Sequence, residues 1–260
     1  MGAFSMTHKP SIKPTLVLLH GFLGQSIDWQ QHIELLSKRF NCIALDLAFH
    51  GKNAQQSCDG IPGYARHIRR QLQQQAIGDF HLLGYSLGGR VAIELCLQNL
   101  SSNEFEIQSL IIESSHFGLS SNNERSQRWQ ADQQWAERFV RQDLKQTLQQ
   151  WYQQSVFESL PPALRERIIK QRQTQDPEIL AQAILSASIA KQNDYSQALA
   201  RLDFPVMLIN GELDTKYQQF YQAHVKSFNH CHWNPIPLAG HNTHLEQPQT
   251  FCNAVINFIG

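Results

Sequence analysis

Short apolar runs recur along this chain at spacings that leave room for one helix between each pair. Thr15 to Leu19, Cys42 to Leu45, Phe80 to Leu83, Ser109 to Ile112 and Pro205 to Ile209 read as strands, with a weaker sixth over His232 to Pro237. Between and after them, apolar positions at helical spacing predict helices over about Ile27 to Lys38, Pro62 to Gln75, Leu87 to Leu100, Lys216 to Phe228 and Pro248 to Ile259. Apolar strands alternating with helices predict an α/β protein, with a mostly parallel central sheet covered by helices on both faces.

The alternation stops between Glu113 and Pro205. There the chain becomes Gln-rich and helix-favouring, and carries three of the five tryptophans. Gly118, Pro161-Pro162 and Asp176-Pro177 break this stretch into about four helices. Regular apolar positions at Trp135, Phe139, Leu144, Leu148 and Trp151 argue for a folded element and against low-complexity sequence. The expected organisation is a core of residues 1–117 and 204–260 with a helical cap, 118–203, inserted in it.

Composition narrows the function by exclusion. The 22 basic residues balance 22 acidic ones, so no global field draws the chain to nucleic acid or to an anionic membrane. No run reaches the roughly 20 apolar residues of a membrane span, and Met1 to Lys9 lacks the apolar region of a signal peptide. A cytoplasmic protein without stable membrane association, monomeric, is expected. Cys42, Cys58, Cys96, Cys231 and Cys252 are odd in number and form no Cys-x-x-Cys pair, so they read as reduced, mostly buried thiols. No metal, nucleotide or flavin motif is present, and no cofactor is expected.

The chemistry is concentrated at Gly84-Tyr85-Ser86-Leu87-Gly88, a Gly-x-Ser-x-Gly turn between an apolar strand and a helical pattern. Such a turn is a nucleophile elbow, which holds a serine hydroxyl exposed at the end of a strand. A serine needs a histidine to take its proton, and the histidine needs an acid to fix its tautomer. Asp214, just past the fifth strand, and His241, past the last, supply both in the chain order Ser, Asp, His. Asp214 also suits the cap of a helix starting near Lys216, and His241 alone would pass for an ordinary loop histidine. All three follow strands at the carboxyl edge of the sheet, where α/β proteins place their sites. The backbone N–H groups of Leu87 and of Phe22, in the loop His20-Gly21-Phe22-Leu23-Gly24, are the expected oxyanion hole, with His20 structural.

His20-Gly21-x-x-Gly24, the elbow, Gly211-Glu212-x-Asp214 and Gly240-His241 together resemble the α/β-hydrolase superfamily over nearly the whole chain. One departure is Asp46-Leu47-Ala48-Phe49-His50-Gly51, where Pro-Gly commonly follows Asp-x; this loop carries no chemistry. Because one fold serves many reactions, the cap has to be read. Arg90 lies one helical turn after Ser86, and Arg125, Arg128, Asp132 and Trp135 share a cap helix. Single surface arginines are ordinarily solvated, but several converging on one pocket suit a small polyanion.

Four segments resemble a narrower family: Gly84 to Arg90, Glu113 to Leu119, Glu124-Arg125-x-x-Arg128-x-x-x-Asp132-x-x-Trp135, and Trp151-Tyr152-Gln153-Gln154-Ser155-Val156-Phe157. They resemble the menaquinone-pathway lyases of the MenH family, the 2-succinyl-6-hydroxy-2,4-cyclohexadiene-1-carboxylate synthases. That resemblance implies elimination of pyruvate from 2-succinyl-5-enolpyruvyl-6-hydroxy-3-cyclohexene-1-carboxylate, with the triad used for proton abstraction, by Ser86 or by His241 directly. It implies that Tyr85 and Arg90 flank the triad, and that Arg128, Trp151 and Arg172 line the substrate site, with Arg125 as an alternative to Arg128. A serine hydrolase of an ester, thioester or C–C bond is the alternative on the same fold, and a binding protein that kept the scaffold is a second.

Overall fold

The computed structural model describes residues 13–260, so the reading of Met1 to Lys9 lies outside the described residues. Six strands form one fully parallel sheet: β1 (Thr15–Leu19), β2 (Asn41–Leu45), β3 (Asp79–Tyr85), β4 (Glu106–Glu113), β5 (Val206–Gly211) and β6 (Cys231–Ile236). Their order is β2-β1-β3-β4-β5-β6. All six stand where the apolar runs lie, and β1 matches its run residue for residue. The central strands are buried on both faces, as Leu16, Val17, Leu18 and Leu19 are, which is why they read as unbroken apolar runs.

The core helices are α1 (Gln30–Leu36), α2 (Gly60–Gln74) and α3 (Leu87–Ser102) before the cap. After it come α8 (Thr215–His224), α9 (Thr243–Glu246) and α10 (Pro248–Ile259). Two expected helices are shorter than predicted. The Ile27 to Lys38 segment opens with a 3₁₀ turn, Ser26–Trp29, before α1, and α8 stops at His224 with a 3₁₀ turn, Val225–Ser227, following.

Between β4 and β5 stand four cap helices: α4 (Asn122–Arg141), α5 (Leu144–Trp151), α6 (Pro162–Arg172) and α7 (Pro177–Ser186). Pro162 and Pro177 occupy first-turn positions of α6 and α7, and the Asp176 side chain accepts from the Glu178 and Ile179 N–H groups to cap the latter. The cap buries its own cluster, including Phe139, Leu148, Tyr152, Phe157, Ile168 and Leu180, onto which Leu23 of the loop after β1 packs. Its entry and exit meet at Gly118, where the Tyr195 N–H donates to the Phe117 carbonyl at 2.9 Å. A Cβ at Gly118 would strike the backbone of Asn193 and Asp194, and φ there is 137°, so the crossing requires glycine.

Two of the five cysteines, Cys96 and Cys252, are buried and three are half-buried, a partial correction to the expectation of mostly buried thiols. None forms a disulfide. No helix among the described residues is long and apolar enough to cross a membrane.

Candidate active site

The sheet order reverses direction at β1: the chain steps from β1 to β2 on one side, then returns to place β3 on the other. Loops leaving β1 and β3 therefore part in opposite directions and open a crevice at their carboxyl ends. His20 to Gly24 leaves β1 there, and Ser86 leaves β3.

Ser86 has φ 50° and ψ −108°, an unfavourable conformation for a residue with a Cβ. Its surroundings hold it: the Ser86 N–H donates to the Glu113 carbonyl at 2.8 Å, and its carbonyl accepts from Ser115 Oγ at 2.7 Å and the Arg90 N–H at 3.2 Å. The glycines two before and two after are needed for close approach. A Cβ on Gly88 would lie 2.5 Å from the Leu19 and His20 carbonyl oxygens, and one on Gly84 would strike the Gly88 backbone. Leu87 is the first residue of α3, so its N–H has no intrahelical acceptor. Phe22 belongs to a turn closed by the Gly24 N–H on the Gly21 carbonyl at 3.0 Å. His20 fixes that loop, its Nδ1–H donating to the Gly21 carbonyl at 2.8 Å and its Nε2 accepting from the Leu47 N–H at 3.1 Å. One nitrogen donating and one accepting means a neutral ring. Burial holds it so by lowering the His20 pKa. Its 3.9 Å approach to Asp46 is thus no charge pair.

Asp214 satisfies both readings of its sequence position at once. Its Oδ1 accepts from the Tyr217 N–H at 3.1 Å, capping α8, and its Oδ2 accepts from His241 Nδ1 at 2.9 Å. A carboxylate only accepts, so Nδ1 carries the proton and Nε2 is left as the basic nitrogen. Both side chains are buried. No hydrogen bond joins Ser86 Oγ to His241 among the described residues, as is common before a ligand binds. Behind them Glu113, wholly buried at the end of β4, accepts from Thr243 Oγ1 at 2.5 Å, from the His244 N–H at 3.0 Å and from His244 Nδ1 at 2.8 Å. Burial favours the neutral Glu113 carboxyl, but His244 and these donors outweigh it and hold the carboxyl below its usual range. The bonds anchor the segment that follows His241.

One cavity of about 960 Å³ is lined by Ser86, Asp214, His241, Arg90, Arg128 and Trp151. Lys216, His116, Tyr217, Gln154 and Phe157 complete much of its wall, with the exposed Glu124 and Glu158 on its rim. Arg90 Nη1 donates to Gln192 Oε1 at 3.1 Å, and no carboxylate pairs with its guanidinium among the described residues. Burial first, then repulsion from Arg128, lower the Arg90 pKa to about 10, which leaves it charged at neutral pH. Arg128 Nε donates to Asp132 Oδ1 at 2.8 Å, and Ser188 Oγ secures the other carboxylate oxygen at 2.6 Å. His116 is pushed down to about 3 by burial, then by Lys216 and Arg90, so it stays neutral.

The remaining expected residues stand elsewhere. Arg125 Nη1 donates to the Ala190 and Gln192 carbonyls at 3.0 and 2.7 Å, which makes it a brace for the chain leaving the cap. Arg172, expected with the substrate residues, is bonded fork-to-fork to Asp28 at 2.9 and 2.5 Å. It lines a second cavity, of about 470 Å³, together with His20, Phe22, Tyr85, Tyr152 and His244. Tyr85 is thus adjacent to Ser86 in the chain but faces this second cavity, with its ring 5.6 Å from that of His241. Phe22 meets the cap through an edge-to-face contact with Trp151 at 5.0 Å.

Residues 14–248 match the alpha/beta hydrolase fold family. Over 245 residues, 94% of this chain and 96% of the relative, the sequence is 34% identical to the putative 2-succinyl-6-hydroxy-2,4-cyclohexadiene-1-carboxylate synthase of Haemophilus influenzae. It is also 34% identical over 247 residues to the synthase of Yersinia pestis, covering 95% of this chain and 87% of that one. The chain belongs to this synthase family of the α/β-hydrolase fold. Among solved structures, MenH from S. aureus superposes with a TM-score of 0.87 at 26% identity, covering 95% of this chain and 93% of that one. A thermophilic esterase from Thermogutta terrifontis, at 22% identity and a TM-score of 0.79 over 95% and 90% of the two chains, shares the fold alone.

For a member of this family, the sequence reading passed over three residues that hold or line the site. Gln192 and Ser188 lie in the segment leaving the cap, where no motif marks them. Lys216 was visible only as the start of a helix, although its place two residues after Asp214 at the carboxyl edge of β5 was a usable signal.

Proposed function

We propose that this chain eliminates pyruvate from 2-succinyl-5-enolpyruvyl-6-hydroxy-3-cyclohexene-1-carboxylate to give 2-succinyl-6-hydroxy-2,4-cyclohexadiene-1-carboxylate, acting as a cytoplasmic monomer without a cofactor. The observation that carries the reading is one cavity in which Ser86 and the Asp214–His241 pair face Arg90 and Arg128. The substrate has three carboxylates, on the ring, the succinyl arm and the enolpyruvyl group, and guanidinium forks match carboxylates.

The bookkeeping of the reaction suits a base beside an oxyanion hole. The proton on ring C2 is acidified by the succinyl ketone. Its removal forms a C2–C3 double bond, the ring double bond moves to C4–C5, and the C5–O bond breaks with enolpyruvate leaving. That enolate takes up a proton and becomes pyruvate. Ser86 takes the C2 proton and passes its own to His241 Nε2, or His241 takes it directly; in both routes Asp214 stabilises the imidazolium. The Phe22 and Leu87 N–H groups hold the ketone oxygen as negative charge develops on it, and Trp151 closes the cap side of the site. A positioned base contributes roughly 10²- to 10⁴-fold and an oxyanion donor about 10²- to 10³-fold.

The test is pyruvate release from freshly generated substrate, coupled to lactate dehydrogenase, for the wild type and Ser86→Ala against the spontaneous rate. Fast release that falls at least about 100-fold in the variant is expected. Release no faster than background, from folded protein that cleaves simple esters through a trapped acyl-serine, would replace this reading with the serine hydrolase.

A further inference from the structure

Three carboxylates call for three cations, and the Ser86 cavity receives only two of the chain's arginines. Arg172 lines the neighbouring cavity, where both its Nη groups meet Asp28, and Arg125 donates to the Ala190 and Gln192 carbonyls. The third cation lining that cavity is Lys216. It occupies the first turn of α8, two residues beyond Asp214, and its Nζ lies 5.8 Å from the Tyr217 ring centroid. The residue is exposed overall but partly desolvated against the cavity wall, where burial, then Arg128, lower its pKa, and it pairs with no carboxylate within 4.0 Å among the described residues. The nearest acid in the chain, Asp214, already spends its two oxygens on the Tyr217 N–H and on His241. Lys216, Arg90 and Arg128 therefore line one space from α8, α3 and α4, with Arg128 bonded to Asp132 through Nε and its Nη groups left to a ligand.

We infer that Lys216 binds the third carboxylate of the substrate, completing with Arg90 and Arg128 a three-point recognition of a tricarboxylate over Ser86. The inference rests on the proposed elimination and adds a recognition residue to it. An ammonium on a flexible arm at the mouth can meet a carboxylate as the ligand enters, whereas the guanidinium of Arg128, braced by Asp132, is already placed.

Steady-state pyruvate release by the full chain tests it, with Lys216→Ala, Lys216→Glu and Lys216→Arg beside the wild type. The expected result is a KM raised about tenfold by alanine and further by glutamate, kcat within about threefold of wild type for alanine, and a KM near wild type for arginine. Lys216 is exposed, so the variants should melt with the wild type, and a melting curve on each checks this. Unchanged KM in both Lys216→Ala and Lys216→Glu, with wild-type turnover intact, overturns the assignment of Lys216 alone. Equal loss of kcat in all three variants, arginine included, overturns it in favour of a structural role for the helix start. Absence of release by the wild type overturns the elimination itself and the recognition built on it.

Discussion

Two cavities meet at Phe157, and each holds an arginine from the cap, but the charges around those arginines are met differently. In the smaller, the Arg172 guanidinium is matched by Asp28 with both forks engaged and both side chains largely buried. In the larger, among the described residues, Arg90 has only the neutral Gln192 amide as a side-chain partner, Lys216 pairs with no carboxylate, and Arg128 meets Asp132 through Nε alone. The same residue type is a structural strap in one place and an open binding group in the other. What separates them is how much of the counter-charge the protein has already supplied: Asp28 meets Arg172 through both Nη groups, so a ligand carboxylate there would find the charge largely neutralised.

The largest effect that would sharpen this contrast is on stability. Arg172→Ala leaves Asp28 without its partner and should cost about 3 kcal/mol in denaturant unfolding, with KM for the substrate little changed. Replacing both partners, Asp28→Leu with Arg172→Met, should recover most of that loss. A tenfold rise in KM from Arg172→Ala at unchanged stability would break the contrast by moving Arg172 into the substrate site.

Acid should act through the same side of the molecule, where neutral imidazoles lie buried around the smaller cavity. Burial, then His244, lower His32 to about 4, and burial, then His20, lower His50 to about 3. Unfolding lets each return to its ordinary value near 6.5, so the unfolded chain binds more protons once the pH is below that. Their stabilisation is complete above about pH 6.5 and is lost as the pH falls toward the folded values, by roughly 2 kcal/mol for each at pH 5. Urea unfolding at pH 7 and pH 5 measures the drop, and a His32→Gln variant should show a smaller one.

In the larger cavity the losses should be kinetic. Arg90→Ala removes charge-assisted bonds worth about 1.5 to 3 kcal/mol, so kcat/KM should fall roughly 10- to 100-fold while the melting temperature holds. Smallest is Gln192→Ala, which touches the cavity only through Arg90 and should lower kcat/KM by about fivefold, close to one ordinary hydrogen bond. A Gln192 effect as large as that of Arg90 would show that the guanidinium has no useful position without its amide partner.

The fold was legible because its signals are local. β1 and α10 agree residue for residue with their apolar patterns, and Pro162, Asp176 and Pro177 mark cap helices by the backbone groups they satisfy or lack. The ends of α1 and α8 were not, since 3₁₀ turns extend the same apolar spacing. Ser86, Asp214 and His241 were legible as positions after strands, each set by the strand before it. The cap arginines were not: Arg125 and Arg128 share one helix, yet one reaches backbone carbonyls of the chain leaving the cap and the other the cavity.

Sequence alone therefore determined the strands, the four cap helices, the elbow and the order of the candidate triad, because backbone sterics and burial periodicity act over a few residues. Only the tertiary structure decided how each cation is partnered, since that depends on groups far away in the chain: Asp28 for Arg172, Gln192 for Arg90, and, among the described residues, no carboxylate for Lys216. Pairing of charge is a property of the assembled pocket, and residue spacing carries no record of it.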